Sequence, residues 1–195
     1  MTTITPSPIL KAAAARRSRR GFTLVELMVS ATLAAFVLAG ILSTFLFLGR
    51  SGANLRNYSD MESQARKALE IFAQDARQAS AITWNSSTSV TLTVNAMNIT
   101  YSHSSTHQNF TRTIGAFSGQ ALITGVAAGS FTFRAFNIAG SEMPLGTAAE
   151  RTAASSSTKQ LQISLEASRS TTTVTTATNL VLSARYVLRN KIVTA

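Results

Sequence analysis

Arg16-Arg17-Ser18-Arg19-Arg20-Gly21-Phe22-Thr23-Leu24-Val25-Glu26-Leu27 opens a run that stays apolar as far as Leu48. Within Phe22 to Leu48 the one charge is Glu26, and the other polar side chains are Thr23, Ser30, Thr32, Ser43 and Thr44. This length exceeds the roughly 20 residues that a membrane-crossing helix needs. A carboxylate deep in lipid costs roughly 2.5–3.5 kcal/mol on insertion scales, so Glu26 calls for a purpose.

Charge on either side of the run sets its direction. Lys11, Arg16, Arg17, Arg19 and Arg20 precede it, and only Arg50 and Arg56 follow closely. Positive-inside bias therefore puts the N-terminus in the cytoplasm and the bulk of the chain outside it. A secretory signal would have an apolar core of about 7–15 residues and a small-residue cleavage site behind it; this run is too long. A plain signal anchor accounts for length and charge but gives Glu26 and Gly21 no role.

Arg20 to Leu27, reading Arg-Gly-Phe-Thr-Leu-Val-Glu-Leu, resembles the N-terminal cleavage and methylation motif of type IV prepilins and pseudopilins. The resemblance covers about 30 residues: basic leader, glycine, phenylalanine, glutamate and apolar helix. It implies that a membrane-embedded prepilin peptidase cuts between Gly21 and Phe22 on the cytoplasmic side, and that the new N-terminal Phe22 is N-methylated. It also implies that Glu26 of one subunit pairs with the Phe22 amine of a neighbour and sets axial register in a filament.

The residue types suit those roles. Glycine least favours continuing a helix and leaves its backbone approachable, which a peptidase needs at a scissile bond. After a cut, the Phe22 ammonium and Glu26 are about 6 Å apart along a helix, and the first-turn carboxylate suits the helix dipole. Ala31, Ala35 and Ala39, with Gly40 beside them, form a small-residue stripe that would let helices approach closely in lipid.

Gly49 to Gly52 mark the exit from the apolar run and could loosen the helix. Beyond them Leu55, Tyr58, Ala65, Leu69, Phe72, Ala76 and Ala79 predict the buried face of an amphipathic helix reaching Ser80, with Met61 beside the interrupting Glu62. A single helix over 22–80 would be about 90 Å long. From Ala81 onward short alternating runs predict strands at Val90–Val94, Asn98–Ser102, Phe110–Ile114, Ala121–Thr124, Ser130–Ile138, Gln160–Ala167 and Leu180–Leu188. Thr171 to Thr178 reads as strand or polar loop, and Ala139 to Thr158 as a long surface loop.

The expected fold is thus α+β and pilin-like, with a long hydrophobic helix followed by a mostly antiparallel β-sheet. Its parts are a basic leader over 1–21, an assembly half of the helix over 22–48, an amphipathic half over 49–80 and a β-rich domain over 81–195. Gln64 to Ala79, Ile99 to Ser102 and Ala184 to Asn190 make the later chain resemble the larger minor components, the J-type pseudopilin of type II secretion and the W-type minor pilin of type IV pili. That resemblance implies the prepilin peptidase/methylase, other pilins or pseudopilins, an inner-membrane assembly platform and membrane lipid as partners. The expected location is the bacterial inner membrane, single-pass, with the β-rich domain periplasmic or extracytoplasmic, and then the pilus or pseudopilus.

Other function classes find less support. The formal charge of +10 falls to +5 without residues 1–21, spread without a dense cluster, which disfavours nucleic acid. A competence-type pilin that binds DNA or a surface would need Arg112, Arg134, Arg151, Lys159 and Arg169 to converge on one face. The chain has no cysteine, which excludes disulfides and thiolate chemistry. His103 and His107 have metal-compatible spacing but no evident third ligand, and read as a surface-loop pair. Asp60, Glu62, Glu70 and Asp75 read as solvated partners of nearby cations along the exposed side of the helix. No nucleophile elbow, phosphate loop or metalloprotease motif is present, so neither an enzyme on a membrane anchor nor a cofactor is expected.

Overall fold

The computed structural model describes residues 21–171 and 174–193. The leader over 1–20 lies outside them. Two compact units divide the chain after Leu46. The first contains the start of helix α1, which runs Leu24–Gln78, and every side chain from Gly21 to Arg50 is exposed. The helix continues through Gly49 to Gly52. Its hydroxyls are turned back on it: Ser30 donates to the Glu26 carbonyl at 2.6 Å, Thr32 to Val29 at 2.8 Å and Thr44 to Gly40 at 3.0 Å. A helix that satisfies its polar groups internally is what a hydrocarbon environment demands.

In the second unit, Phe47 onward, α1 buries Met61, Ala65, Ala68, Phe72 and Ala76, and Ala79 just past its end is buried too. The three-and-four spacing is the predicted one, but its upper end is corrected: Leu55 is 70% and Tyr58 42% exposed, and Met61 is fully buried. Glu62 sits one position round the helix and points to Arg66 instead of interrupting the stripe. Phe72 is the hub of the core, with ring centroids 4.7 Å from Tyr101, 5.3 Å from Tyr186 and 5.9 Å from Phe133.

A five-stranded antiparallel meander follows, in order β1 (Ala81–Ser86), β2 (Ser89–Val94), β3 (Met97–Ser104), β4 (Asn109–Ile114) and β5 (Gln120–Thr124). Its inner face supplies Ile82, Trp84, Val90, Leu92, Ile99, Tyr101 and Phe110 to the core. A second sheet has the order β7-β6-β8-β9, made of β6 (Thr132–Phe136), β7 (Glu142–Met143), β8 (Gln160–Thr171) and β9 (Val174–Val187). All of its pairs are antiparallel. The stretch 171–178 therefore contributes backbone to β8 and β9, except for residues 172 and 173, outside the described residues.

Two stitches hold the sheets together. At one side Ala127 N–H donates to Glu166 at 2.8 Å and Ser168 N–H to Gly125 at 2.7 Å. Gly125 has φ +74°, and a Cβ there would lie 2.6 Å from the Ser168 carbonyl oxygen, so only glycine fits. At the other side Phe133 N–H donates to Ser87 at 2.7 Å.

The predicted loop over 139–158 contains a helix, α2 (Ala148–Ser157). Thr147 and Glu150 form a reciprocal capping box at its start, with Thr147 N–H donating to Glu150 at 2.7 Å and Glu150 N–H to Thr147 at 3.2 Å. At its end the buried Lys191 ammonium donates to the carbonyls of Ser155, Ser156 and Thr158 at 2.7–3.0 Å. The serine run, read as loop, is helical because both ends are capped and Ser155 bonds back to Arg151. The helix covers the β1 edge: Trp84 N–H donates to Ser155 at 3.0 Å, and its indole N–H to Thr158 at 2.9 Å.

Candidate functional site

Gly21, Phe22 and Thr23 precede the first helical residue, so the expected cleavage bond lies in non-helical backbone. Among the described residues, chain neighbours aside, no atom lies within 4 Å of a Cβ placed on Gly21, so crowding by them gives no reason for glycine there.

Glu26 is tied to the helix start. One carboxylate oxygen, Oε2, accepts from Thr23 N–H at 2.9 Å and from Thr23 Oγ1 at 3.0 Å, while Glu26 N–H donates to Thr23 Oγ1 at 3.2 Å. This is a capping box with Thr23 as the N-cap, which satisfies backbone donors that lack helical partners. Thr23-x-x-Glu26 is legible in the sequence as such a signature, and so is Thr147-x-x-Glu150. The capping role adds to whatever Glu26 does elsewhere, since both bonds use one oxygen.

Residues 16–42 match the family described as the prokaryotic N-terminal methylation motif. The match supports the type IV prepilin-like reading of this end of the chain. It implies processing by a prepilin peptidase and assembly with other pilins. The apolar helix and the motif together suit anchoring in an inner membrane. A comparison with curated proteins finds no match to the chain.

The remaining candidate groups are dispersed. Asp75 is not on the solvated side of α1. It is buried, and its Oδ2 accepts from Tyr101 Oη at 2.5 Å and from Arg112 Nε at 2.8 Å. Burial first, then the bond to Asp75, pushes the Tyr101 phenol well above its ordinary range, and the Asp75 bond raises the Arg112 guanidinium. Asp60 faces Arg169 at 3.7 Å, and Glu62 pairs with Arg66 along the helix.

The five cations considered for DNA each have a local partner. Arg112 is turned inward to Asp75, Arg169 to Asp60, and Arg134 to Glu142 at 3.6 Å. Arg151 donates to the Gly146 carbonyl at 2.8 Å, and Lys159 to the carbonyl of Lys191. Arg134, Arg151 and Glu142 line one open depression of about 340 Å³.

His103 lies in β3, not in a loop, and stacks on Phe131 at 5.0 Å. His107 stands in the following turn, where it meets Ser104 at 3.1 Å. Burial pushes the His103 imidazole below its ordinary value. No group of three metal-ligating side chains occurs among the described residues.

Proposed function

We propose that the chain is the precursor of a minor pilin or pseudopilin, a structural subunit of a type IV pilus or a type II secretion pseudopilus, most like the W-type and J-type components. It is inserted in the inner membrane with its N-terminus cytoplasmic and its β-rich part periplasmic. Prepilin peptidase removes the leader after Gly21, and Phe22 is N-methylated. The protein acts by assembly, not catalysis.

The observation that carries this reading is the single acid in the exposed apolar helix, one turn from the scissile bond. Oε2 of Glu26 is occupied by Thr23, and no described residue donates to Oε1. Once Phe22 has a free ammonium, an incoming Glu26 can offer Oε1 to the amine of a neighbour while its cap persists. Neutralising both charges in a dry helical bundle favours one axial register. Extraction from the membrane then exchanges lipid for neighbouring apolar helices around 22–48.

Mass spectrometry of the protein recovered from native membranes tests this. N-methyl-phenylalanine at Phe22 is the expected terminus, and a stable monomer that retains its arginine-rich leader would sink the proposal. Glu26→Leu should still be exported and cleaved but should be depleted from filaments.

A further inference from the structure

Strands β1 to β5 and their turns contain one charged Asp, Glu, Lys or Arg side chain between Ala81 and Thr124, although such residues make up 13% of the chain. That residue, Arg112, points inward to Asp75. The outer face of these strands therefore carries no Asp, Glu, Lys or Arg, and His103 belongs to the inner face, opposite Phe110 and stacked on Phe131. Solvated faces of antiparallel sheets carry polar residues, and on most protein surfaces many of these are charged.

The outer residues also form a lattice. Thr83 pairs with Thr91, Thr91 with Thr100 and Thr100 with Thr113, giving one unbroken row of four threonines across four strands. Beyond Thr113 the row meets Gly119, which precedes β5, and a Cβ there would lie 2.8 Å from Thr113 Oγ1. A second row runs Ser89, Ser102, Thr111. Strand spacing sets neighbours in a row about 4.8 Å apart, and rows lie about 6.7 Å apart along the strands.

The hydroxyls are pre-oriented. Thr91 and Thr100 share a bond of 2.9 Å, Ser102 and Thr111 one of 3.0 Å, and Asn85 Nδ2 donates to Thr91 at 2.9 Å. Thr100 and Ser102 each use one of three hydrogen-bonding positions within the face, whereas Thr91 and Thr111 each use two, Thr111 also donating to the Ser102 carbonyl at 3.1 Å, so every hydroxyl keeps at least one position for an outside group. Rotamer freedom that ligand binding would otherwise remove is already lost.

We infer that this outer face is a docking surface for an uncharged, hydroxyl-rich polymer, that is, a neutral polysaccharide. The composition of the face decides among partner classes. Nucleic acid and anionic lipid need Lys or Arg, and the face has none. Protein interfaces are anchored by Trp, Tyr, Arg or Met, which are absent from both rows. Repeated hydroxyl rows match a repeating neutral ligand, whose weak individual contacts add up along its length. This inference is independent of the filament reading.

The test is co-sedimentation of the full chain, held in a detergent without a sugar headgroup, with microcrystalline cellulose, chitin and insoluble β-1,3-glucan. Retention on at least one, unchanged between low and high salt, is expected. Thr100→Lys should weaken it about tenfold, in line with the loss of one or two hydrogen bonds. The near-isosteric Thr91→Val/Thr100→Val pair should weaken it several-fold at an unchanged melting temperature, which separates hydroxyl recognition from loss of fold. No retention on any of the three, retention unmoved by these variants, or steep loss with salt would each overturn the assignment.

Discussion

Asp75 on α1, Tyr101 on β3 and Arg112 on β4 form a hydrogen-bonded triad. Asp75 lies among charged residues on a helix and looks like one more solvated acid, yet it is buried against a tyrosine and an arginine from β3 and β4. Helical spacing alone could not reveal this, because the partners are 26 and 37 positions away. Removing one partner of a buried pair leaves an uncompensated charge. Arg112→Ala should therefore destabilise the folded unit by about 3 kcal/mol in denaturant titration. His103 supplies a pH dependence. Burial holds its folded value below the unfolded one of about 6.5, so the unfolded chain binds the proton more readily and stability falls as pH drops through that region. Its Nε2 is buried with no hydrogen-bond partner among the described residues. His103→Phe, which keeps the stack on Phe131, should flatten this acid-side slope of the unfolding midpoint.

Among the elements, those with strong local signals were legible. Helix α1 was predicted to Ser80 and ends at Gln78, and the seven predicted strands correspond to β2 to β6, β8 and β9. Strand β1 was missed because Ala81 to Ser86 is short and its alternation follows directly on the helical pattern. Helix α2 was missed because serine and threonine suggest loops; its two caps come from a local threonine-glutamate pair and from Lys191, distant in sequence. The β2–β3 hairpin turns on Asn95 and Ala96, with φ +50° and +63°. Both values are left-handed, as a two-residue I′ turn requires, and alanine is a poor occupant of the second position. Ala96→Gly should raise stability by about 1 kcal/mol in chemical denaturation.

Over the whole molecule, the exposed apolar segment and the folded β-rich unit follow different physics. The first has no packed core of its own and relies on lipid or on other helices; the second is held by Phe72 and the rings around it. A charge at the middle of the apolar run should affect only the first. Leu33→Arg should cost insertion about 2.5–3.5 kcal/mol, seen as a shift of the protein out of the membrane fraction. The unfolding midpoint of the β-rich unit should stay the same.

The N-terminal motif is legible because it is written in nearby residues: Gly21, Phe22 and Glu26 lie within six positions of one another, inside the stretch 16–42 that matches the methylation motif. The sequence by itself determined the long apolar helix, the antiparallel character of the strands and the N-terminal motif over 16–42. Only the tertiary structure decided that Asp75 faces Arg112, that Lys191 caps α2, and that threonines from four strands fall into one row. Those contacts join residues far apart in the chain, and register between strands is set by the shared burial of the opposite face, where Trp84, Val90, Tyr101 and Phe110 must all meet one core.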